Sequence, residues 1–444
     1  MDFFEGLPIL PVLPFITILL LIAAGPVLIP HFWHRFYRHI CILMGGAMLG
    51  LYLVAGHGPE VAETAADYIS FICLLGSLFI ISGGIHIFAD RDSTPFINVV
   101  FLIFGAVTAN FIGTTGASVL LIRPYILINR YRLRPYHIIF FIFIVSNAGG
   151  MLTPLGDPPL FFGFLKGVPF FWNVVNMGLP WLVSVGMITG MFFWLDSRNK
   201  QTMRDLHKES GKVSVKGKRN LIGLGIVLGS LFIDPKLLDW VPAIHYHGYA
   251  FSFVRELIQI GTAIFFFVFA DKVALSSNEF SFEPLLEVVF LFFAIFFTMM
   301  PALSLVKELA QKPDISKLIT PDSAYWITGS LSSVLDNAPS YINVLAATMA
   351  KYGLNLNNIE ELHRFISKSP GIEGLNGNFL LRAISVASVM FGAMTYVGNG
   401  PNLMVKAIAE KEGVKMPSFG AYIFKYSIPY LLPVLVVIYL LFVW

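Results

Sequence analysis

The chain has few charged residues for its length. Aspartate, glutamate, lysine and arginine make up 13% of its 444 residues, compared with about 25% in soluble globular domains. Hydrophobic residues make up 56%, and the mean hydropathy is +0.74. Because a soluble fold presents charged side chains over much of its surface, this composition excludes an ordinary soluble domain.

Cysteine is almost absent as well. Only Cys41 and Cys73 occur, both in apolar stretches, which excludes a disulfide framework and a cysteine-based metal site. The sequence also lacks a Walker-type phosphate loop and the nucleophile–base set that hydrolases use. These absences argue against ATP-driven coupling and against an enzyme, and we expect no cofactor beyond the ions that the protein handles.

Long apolar runs are what the chain has in abundance. Runs of spanning length, roughly 20 residues, recur throughout, for example at 10–29, 69–87, 285–300 and 422–444. The strands of a membrane barrel would instead be short segments of alternating polarity. The sequence therefore predicts an all-α polytopic membrane protein with about 10 transmembrane helices.

The longest polar stretch, residues 197–220, is strongly basic. It contains eight lysines and arginines but only two acidic residues. Because basic loops stay on the cytoplasmic side of a membrane, we expect this linker to be cytoplasmic and the protein to lie in the cell (inner) membrane. Counted from that anchor, segments 96–129 and 322–351 each begin and end on one side. Each therefore predicts a re-entrant hairpin.

A seven-residue motif occurs twice. Residues 153–159 read Thr-Pro-Leu-Gly-Asp-Pro-Pro, and residues 395–401 read Thr-Tyr-Val-Gly-Asn-Gly-Pro. Glycine and proline interrupt helices, so segments 137–166 and 378–409 predict two broken helices. Matched broken helices that run in opposite directions are typical of an inverted-topology repeat, whose binding site lies near the bilayer midplane.

These elements divide the chain into four expected parts. An N-terminal transmembrane helix occupies 1–39, and two inverted repeats occupy 40–198 and 246–444. Residues 199–245 contain the basic linker and a connecting helix. Helix-breaking backbone is tolerated at membrane depth only in contact with protein or a cavity, so we expect the four breaks to converge on one polar site.

Asp157 and Asp336 are the sharpest candidates for function, because each lies beside a helix break in an apolar context. An acidic residue at the centre of a membrane helix costs about 2.5–3.5 kcal/mol, which argues against idle placement. Na⁺ takes oxygen ligands, and side chains and freed carbonyls supply them here. We expect both aspartates to bind Na⁺ or protons, with Asn337, Thr153, Thr395 and Asn399 as neutral ligands. Secondary candidates are Thr114, Thr115, Ser118, Asn147, Ser340, Asn402 and Glu287.

A structural role fits the two aspartates too, since aspartate readily accepts hydrogen bonds from free N–H groups at a helix start. A cap does not exclude ion binding. Burial favours the protonated form of a carboxyl group, and a nearby cation favours the ionised form, so one group can exchange a proton for a cation. The hairpin tips also align, with 113–118 matching 335–340. In this alignment Thr114 corresponds to Asp336.

At these residues the chain resembles the ion transporter superfamily, which includes NhaD-type sodium/proton antiporters, arsenite exporters and citrate or dicarboxylate transporters. Residues 147–159 are similar to the Asn-Ala-Gly-Gly…Pro-Ile-Gly-Asp pattern of NhaD-type antiporters, and the Leu-Asp-Asn of residues 335–337 recurs in that group. The resemblance implies ion sites at the hairpin tips, elevator-like alternating access and a homodimer in membrane lipid.

We therefore expect a secondary Na⁺/H⁺ antiporter, with Li⁺ as a second candidate cation and no nucleic-acid partner. The resemblance implies Ser-Asn-Thr at both tips of carboxylate-carrying members, whereas this chain has Gly-Thr-Thr at 113–115 and Asp-Asn-Ala at 336–338. The alternative is a cation-coupled transporter of citrate, a dicarboxylate or another anion. A channel or a membrane scaffold is a third interpretation, which hairpins that open to opposite sides disfavour.

Overall fold

The computed structural model is mainly helical over its described residues. It describes residues 10–89, 93–199, 213–235, 238, 240–246, 249–367 and 377–444. Across these residues, eight helices are long and apolar enough to cross a membrane. The all-α polytopic membrane fold is confirmed. Two further apolar helices, Leu10–Pro26 and Asn220–Ser230, are shorter.

The first half of the chain leads up to the basic linker. Its elements are a 3₁₀ turn (Leu10–Val12), α1 (Leu13–Leu28), α2 (Pro30–Val54), α3 (Gly58–Gly83), β1 (His86–Ala89), α4 (Pro95–Ile128), α5 (Pro135–Ile144), a 3₁₀ turn (Ala148–Leu152), α6 (Pro158–Lys166) and α7 (Phe170–Ser197). Proline lies in the first turn of each helix from α1 to α6. At that position its missing N–H leaves no helical hydrogen bond unmade.

The second half follows the linker, of which residues 200–212 lie outside the described part of the chain. Its elements are β2 (Val213–Lys216), α8 (Asn220–Ser230), β3 (Ile244–Tyr246), β4 (Tyr249–Phe251), α9 (Val254–Val268), α10 (Lys272–Ser277), α11 (Glu283–Ala310), α12 (Pro313–Leu318), α13 (Pro321–Val334), α14 (Asn337–Lys351), α15 (Ile359–Ile366), α16 (Gly377–Phe391), a 3₁₀ turn (Gly392–Met394), α17 (Gly400–Lys411), α18 (Phe419–Tyr422), a π-helix (Ile423–Leu431) and α19 (Leu432–Phe442). β1 pairs with β2 and β3 with β4, both antiparallel. The boundaries expected after residues 39 and 245 fall inside α2 and β3.

α4 turns back on itself at its middle. Gly113 has φ 76° and ψ 155°, which is not helical. The N–H of Ser93 donates to the carbonyl of Ile128 over 2.9 Å, so the two ends of the element meet. A straight helix of 34 residues would hold its ends about 50 Å apart. α4 is therefore a hairpin, called hairpin 1 below, and does not cross the membrane as one helix.

α13 and α14 form the corresponding hairpin 2. Leu335 and Asp336 are extended between the two helices. The two far ends meet again, because Lys351 Nζ donates to the carbonyl of Ile319 over 2.6 Å. Broken helix 1 consists of α5 and α6, and broken helix 2 consists of α16 and α17. In each, a 3₁₀ turn and a short extended stretch separate the two helical pieces.

The two hairpins and two broken helices pack together as one unit, called the hairpin body below. Helices α3 and α11 pack against this unit, α2 packs behind them, and these three helices are called the frame. Aromatic rings fill much of the contact between them. Phe71 of α3 lies 5.1 Å from Phe162 of α6 and 4.5 Å from Phe292 of α11, measured between ring centroids. The frame therefore meets the body largely through apolar surface.

Gly150 should be essential for closing the loop of broken helix 1 onto hairpin 1. A Cβ atom at this position would lie 2.6 Å from the carbonyl oxygen of Gly156 and 2.6 Å from Thr114 Cγ2. We expect Gly150→Ala to cost about 1–3 kcal/mol of folding stability, as overpacked substitutions do. Thermal unfolding in detergent would measure the loss.

Gly186→Ala is the matched control, because a Cβ on this α7 glycine meets nothing within 4 Å. It should unfold at or slightly above the wild-type temperature, since alanine favours a helix over glycine. Equal melting temperatures for the two variants would contradict the packing argument.

Candidate functional site

Four helix starts face one another inside the hairpin body. α6 starts after Asp157, α17 after Asn399, α14 after Asp336, and the second arm of hairpin 1 after Gly113. Each start leaves N–H groups without a helical acceptor and carries a partial positive charge. The helix breaks that the sequence predicts thus supply the polar backbone of one shared site.

Asp157 is the centre of this site and is 1% exposed. Thr114 Oγ1 donates to its Oδ1 over 2.9 Å, and Asn337 Nδ2 donates to its Oδ2 over 2.7 Å. Asn399 Nδ2 donates to Oδ1 over 3.0 Å. One carboxyl group of broken helix 1 is therefore hydrogen-bonded to hairpin 1, hairpin 2 and broken helix 2. Among the described residues, all three side chains that donate to it are neutral.

A chain of asparagine amides continues from this carboxyl group. Asn399 Nδ2 also reaches Asn147 Oδ1 over 3.1 Å, and Asn147 Nδ2 donates to Asn402 Oδ1 over 2.8 Å. Asn402 Nδ2 then donates to the carbonyl of Gly392 over 2.8 Å. All three asparagines are buried. These hydrogen-bonded asparagine amides join the two broken helices to each other on the far side of Asp157.

Asp336 has a different environment. It is half-buried, and its Oδ1 accepts the N–H of Ala338 over 3.1 Å as the cap of α14. No other hydrogen bond to its carboxyl group is found among the described residues. It lies close enough to Asp157 for the two carboxyl groups to interact electrostatically. The structure thus places both predicted carboxylates in one region but bonds only Asp157 to both halves.

Thr153 and Thr395 do not face Asp157. Their hydroxyl groups donate to main-chain carbonyls of their own hairpins, Thr153 to Asn110 O and Thr395 to Ser333 O, each over 2.6 Å. Thr395 Oγ1 also accepts two main-chain N–H groups, which leaves its oxygen fully used. Both threonines therefore fasten a broken helix to a hairpin, and we do not retain them as ion ligands.

The same two bonds give the register between the repeats. Asn110 and Ser333, the acceptors of the two threonines, each lie three residues before a hairpin break. Counted from these acceptors, Gly113 corresponds to Asp336, and Thr114 corresponds to Asn337. The sequence alignment that paired Thr114 with Asp336 was wrong by one residue. The sequence alignment matched similar residue types at the two hairpin tips. The hydrogen bonds instead align the two hairpins by the position of the break in each.

The remaining candidates lie at various distances from the centre. Ser118 Oγ pairs with Ser146 Oγ over 2.7 Å, and Ser340 Oγ donates to the carbonyl of Asp336 within its own helix. Thr115 lines a cleft described below. Glu287 is exposed on the frame helix α11 and belongs to no described contact of this site. The structure therefore does not bring Glu287 to Asp157.

Two contributing residues were missed in the sequence. Asn110 Nδ2 donates to the carbonyl of Gly149 over 2.7 Å, and its Oδ1 accepts the N–H of Leu152 over 2.8 Å. Ser332 Oγ donates to Asn337 Oδ1 over 2.6 Å and so orients the amide that reaches Asp157. Both are polar residues three or four positions before a hairpin break in an apolar arm, and that spacing was the available signal.

A cleft leads from the frame towards this site. It lies between α3, α11, the tip of hairpin 1 and the loop of broken helix 1, and it is partly open to the outside. Its lining includes Leu75, Phe79, Thr114, Thr115, Leu285 and Val288. Because Thr114 donates to Asp157, the cleft reaches the first neighbour of the buried carboxyl group.

Residues 4–443 match a family model described as "Putative citrate transport". The chain belongs to this family. It is thus a multi-pass membrane transporter, which agrees with its apolar helices and with its paired helix breaks. No functionally curated protein matches the chain.

The asparagine chain of this transporter should be needed for its stability. In Asn402→Leu the carbonyls of Gly392 and Thr395 and the amide of Asn147 each lose a buried hydrogen bond. We expect a loss of about 1–3 kcal/mol for each group left without a partner. The melting temperature of the purified protein in detergent should fall by several degrees or more.

Thr108→Val is the control for this substitution. Its hydroxyl group is exposed and bonds only to the carbonyl of Phe104, one turn earlier in the same helix. The control should melt close to wild type. A melting temperature of Asn402→Leu equal to that of the control would show that the buried amide chain contributes little to stability.

Proposed function

We propose that this transporter exchanges Na⁺ for protons at Asp157. The observation that carries the proposal is a fully buried carboxyl group whose donors among the described side chains are all neutral. A buried charge without a counter-charge is strongly unfavourable. Either a proton or a monovalent cation relieves that cost, and exchange between the two is the elementary step of antiport.

The groups around Asp157 suit both occupants. Thr114, Asn337 and Asn399 now turn hydrogen atoms toward the carboxyl group. Each of these side chains also has an oxygen with free lone pairs or one that rotation of the group can expose. Rotation of the Thr114 hydroxyl and the Asn337 amide therefore converts two donors into oxygen ligands, while the Asn399 amide keeps its bond to Asn147 Oδ1. The carboxylate and these oxygens form the ligand set that Na⁺ prefers.

The charges at the helix starts favour a cation over an anion. An anionic substrate is held by the positive N-terminal ends of broken helices. In this chain Asp157 and Asp336 place the protein's own carboxyl groups at two of the four starts. At about 4 Å, an ionised aspartate opposes a substrate carboxylate by around 1–4 kcal/mol at effective dielectric constants of 80 to 20. Citrate would meet this repulsion more than once.

The second candidate is cation-coupled transport of an anion such as citrate, the substrate that the family description names. In that case Asp157 and Asp336 hold the coupling cations. The anion then contacts the two helix starts that lack an aspartate, at Gly113 and Asn399. Both candidates use the same carboxyl groups and differ in whether an anion moves with the cation.

Everted membrane vesicles with a pH-sensitive dye test the first candidate. Na⁺ should dissipate an imposed proton gradient in the wild type, with Li⁺ as the second cation to try. We expect Asp157→Asn to reduce the response by at least about 100-fold, the scale on which loss of a proton-transfer group acts. Asp336→Asn should weaken it as well. Asp322→Asn is the control, because this carboxylate is exposed and accepts a hydrogen bond from Tyr439 instead.

The outcomes separate the candidates. A wild-type gradient that Na⁺ leaves intact, or full activity in both Asp157→Asn and Asp336→Asn, would sink the antiport proposal. Uptake of labelled citrate or succinate that requires Na⁺, in the same vesicles, would favour the second candidate. The thermal stability of each variant should be checked first, so that a folding defect is not read as a transport defect.

A further inference from the structure

The hydrogen bonds and ion pairs that join the hairpin body to the frame, or to the loop between α10 and α11, lie at two places. Between them, the contact is made by apolar side chains such as Phe71, Phe162 and Phe292, and by the cleft. Among the described residues, these polar contacts belong either to a cluster around Lys166, which Lys307 of α11 adjoins, or to a cluster around Glu279.

The first cluster joins the end of broken helix 1 to the start of α3. Lys166 Nζ lies 2.7 Å from Glu63 Oε1 and 2.8 Å from Asp67 Oδ2. Asn357, which follows hairpin 2, donates to Glu63 Oε2 over 3.0 Å. The charged side chains of this cluster are only 13–20% exposed. Lys166 therefore does not extend freely to water, as a lysine at a helix end usually does.

The second cluster joins hairpin 1 and broken helix 2 to the loop between α10 and α11. Arg123 Nη2 lies 3.0 Å from Glu279 Oε2, and Lys411 Nζ lies 2.5 Å from the same oxygen. Lys411 and Arg123 together hold the pKa of the Glu279 carboxyl below its usual range, so the group is ionised. Glu279 also has φ 47°, a conformation that non-glycine residues rarely adopt. The loop thus holds Glu279 in an uncommon conformation that presents it to two cations.

The clusters lie at opposite ends of α3. Asp67 belongs to the first cluster, and Gly83, at the far end of the helix, accepts a hydrogen bond from Asn278 next to Glu279. Gly83 lies 16 positions after Asp67 in α3, which corresponds to about 24 Å of helix. This is most of the thickness of a bilayer core, roughly 30 Å. One cluster therefore lies near each face of the membrane.

We propose that Lys166 and Glu279 are positioning residues of the transport cycle, whose ion pairs hold the hairpin body against the frame in the arrangement seen here. When the body moves along α3, apolar side chains can exchange one apolar neighbour for another, but the ion pairs of the two clusters must separate. Translocation therefore requires both clusters to open, and their strength sets the population of this arrangement. The proposal applies whichever ion is carried, because neither cluster touches Asp157.

A thiol reporter in the cleft tests the proposal without a transport assay. The native thiols are removed as Cys41→Ser and Cys73→Ser, and Val288→Cys places one thiol on α11 where it lines the cleft. Its rate of reaction with a small polar thiol reagent is measured in vesicles. Lys166→Met removes the cation that pairs directly with Glu63 and Asp67, so fewer molecules should occupy this arrangement and labelling should slow by about ten-fold. Glu279→Gln should slow it in the same direction.

Two controls distinguish ion pairs that hold this arrangement from residues with a merely structural role. Lys166→Arg keeps the positive charge, so its Val288→Cys thiol should react at the same rate as in the parent, the protein that carries only the three cysteine substitutions. Glu410→Gln removes a carboxylate from α17 whose partner, Lys406, lies on the same helix, and it should also label like the parent. Labelling of Lys166→Met and Glu279→Gln at the rate of Glu410→Gln would overturn the proposal. Slow labelling of Lys166→Arg would also overturn it, since it would show that the shape of the side chain at position 166 matters rather than its positive charge.

Discussion

The buried carboxyl group of Asp157 is the constraint on which the rest of this structure depends. A charge with 1% exposure persists in a membrane protein only where hydrogen bonds and a counter-charge compensate it. The donors come from hairpin 1, hairpin 2 and broken helix 2, so the four interrupted elements must meet at one point. The interruptions follow from the same requirement, because a continuous helix cannot turn its N–H groups or short polar side chains towards a point on its axis.

Hydrogen bonds to main-chain carbonyls fix the hairpins and broken helices to one another at this site. Thr153 and Thr395 each bind the carbonyl three residues before a hairpin break, and Thr114 N–H donates to the carbonyl of Gly156 over 2.7 Å. These bonds replace the helical bonds that the breaks remove, as backbone at membrane depth requires. The hairpin body therefore has a polar interior with satisfied bonds and an apolar exterior towards the frame. Towards the frame, such a unit exposes no unpaired backbone groups when it shifts, and the ion pairs of Lys166 and Glu279 are the contacts that a shift would break.

The sequence was informative wherever a local rule applied. Glycine and proline located the breaks, and loop charges indicated that hairpin 1 returns to the side from which it starts. Side-chain roles were harder, because a threonine hydroxyl binds whichever acceptor the three-dimensional register supplies. Thr153 and Thr395 were expected to face the ion and instead face carbonyls of their hairpins. Asn110 and Ser332 escaped notice, since a lone polar residue in an apolar arm does not reveal its partner. Glu287 was a candidate because of its charge alone. The sequence does not show which face of α11 packs against the site, and Glu287 lies on an exposed face.

The two repeats match in backbone but not in chemistry, and the mismatch lies where they touch. Asp157 and Asn399 occupy equivalent places in the repeated motif and are hydrogen-bonded to each other over 3.0 Å. Two aspartates at this contact would repel each other, and two asparagines would provide no charge to exchange. One of each gives a single titratable group that is bonded directly to both halves of the fold. In the proposed exchange, a proton or cation that neutralises Asp157 would therefore alter the hydrogen bond that joins the two repeats at this point.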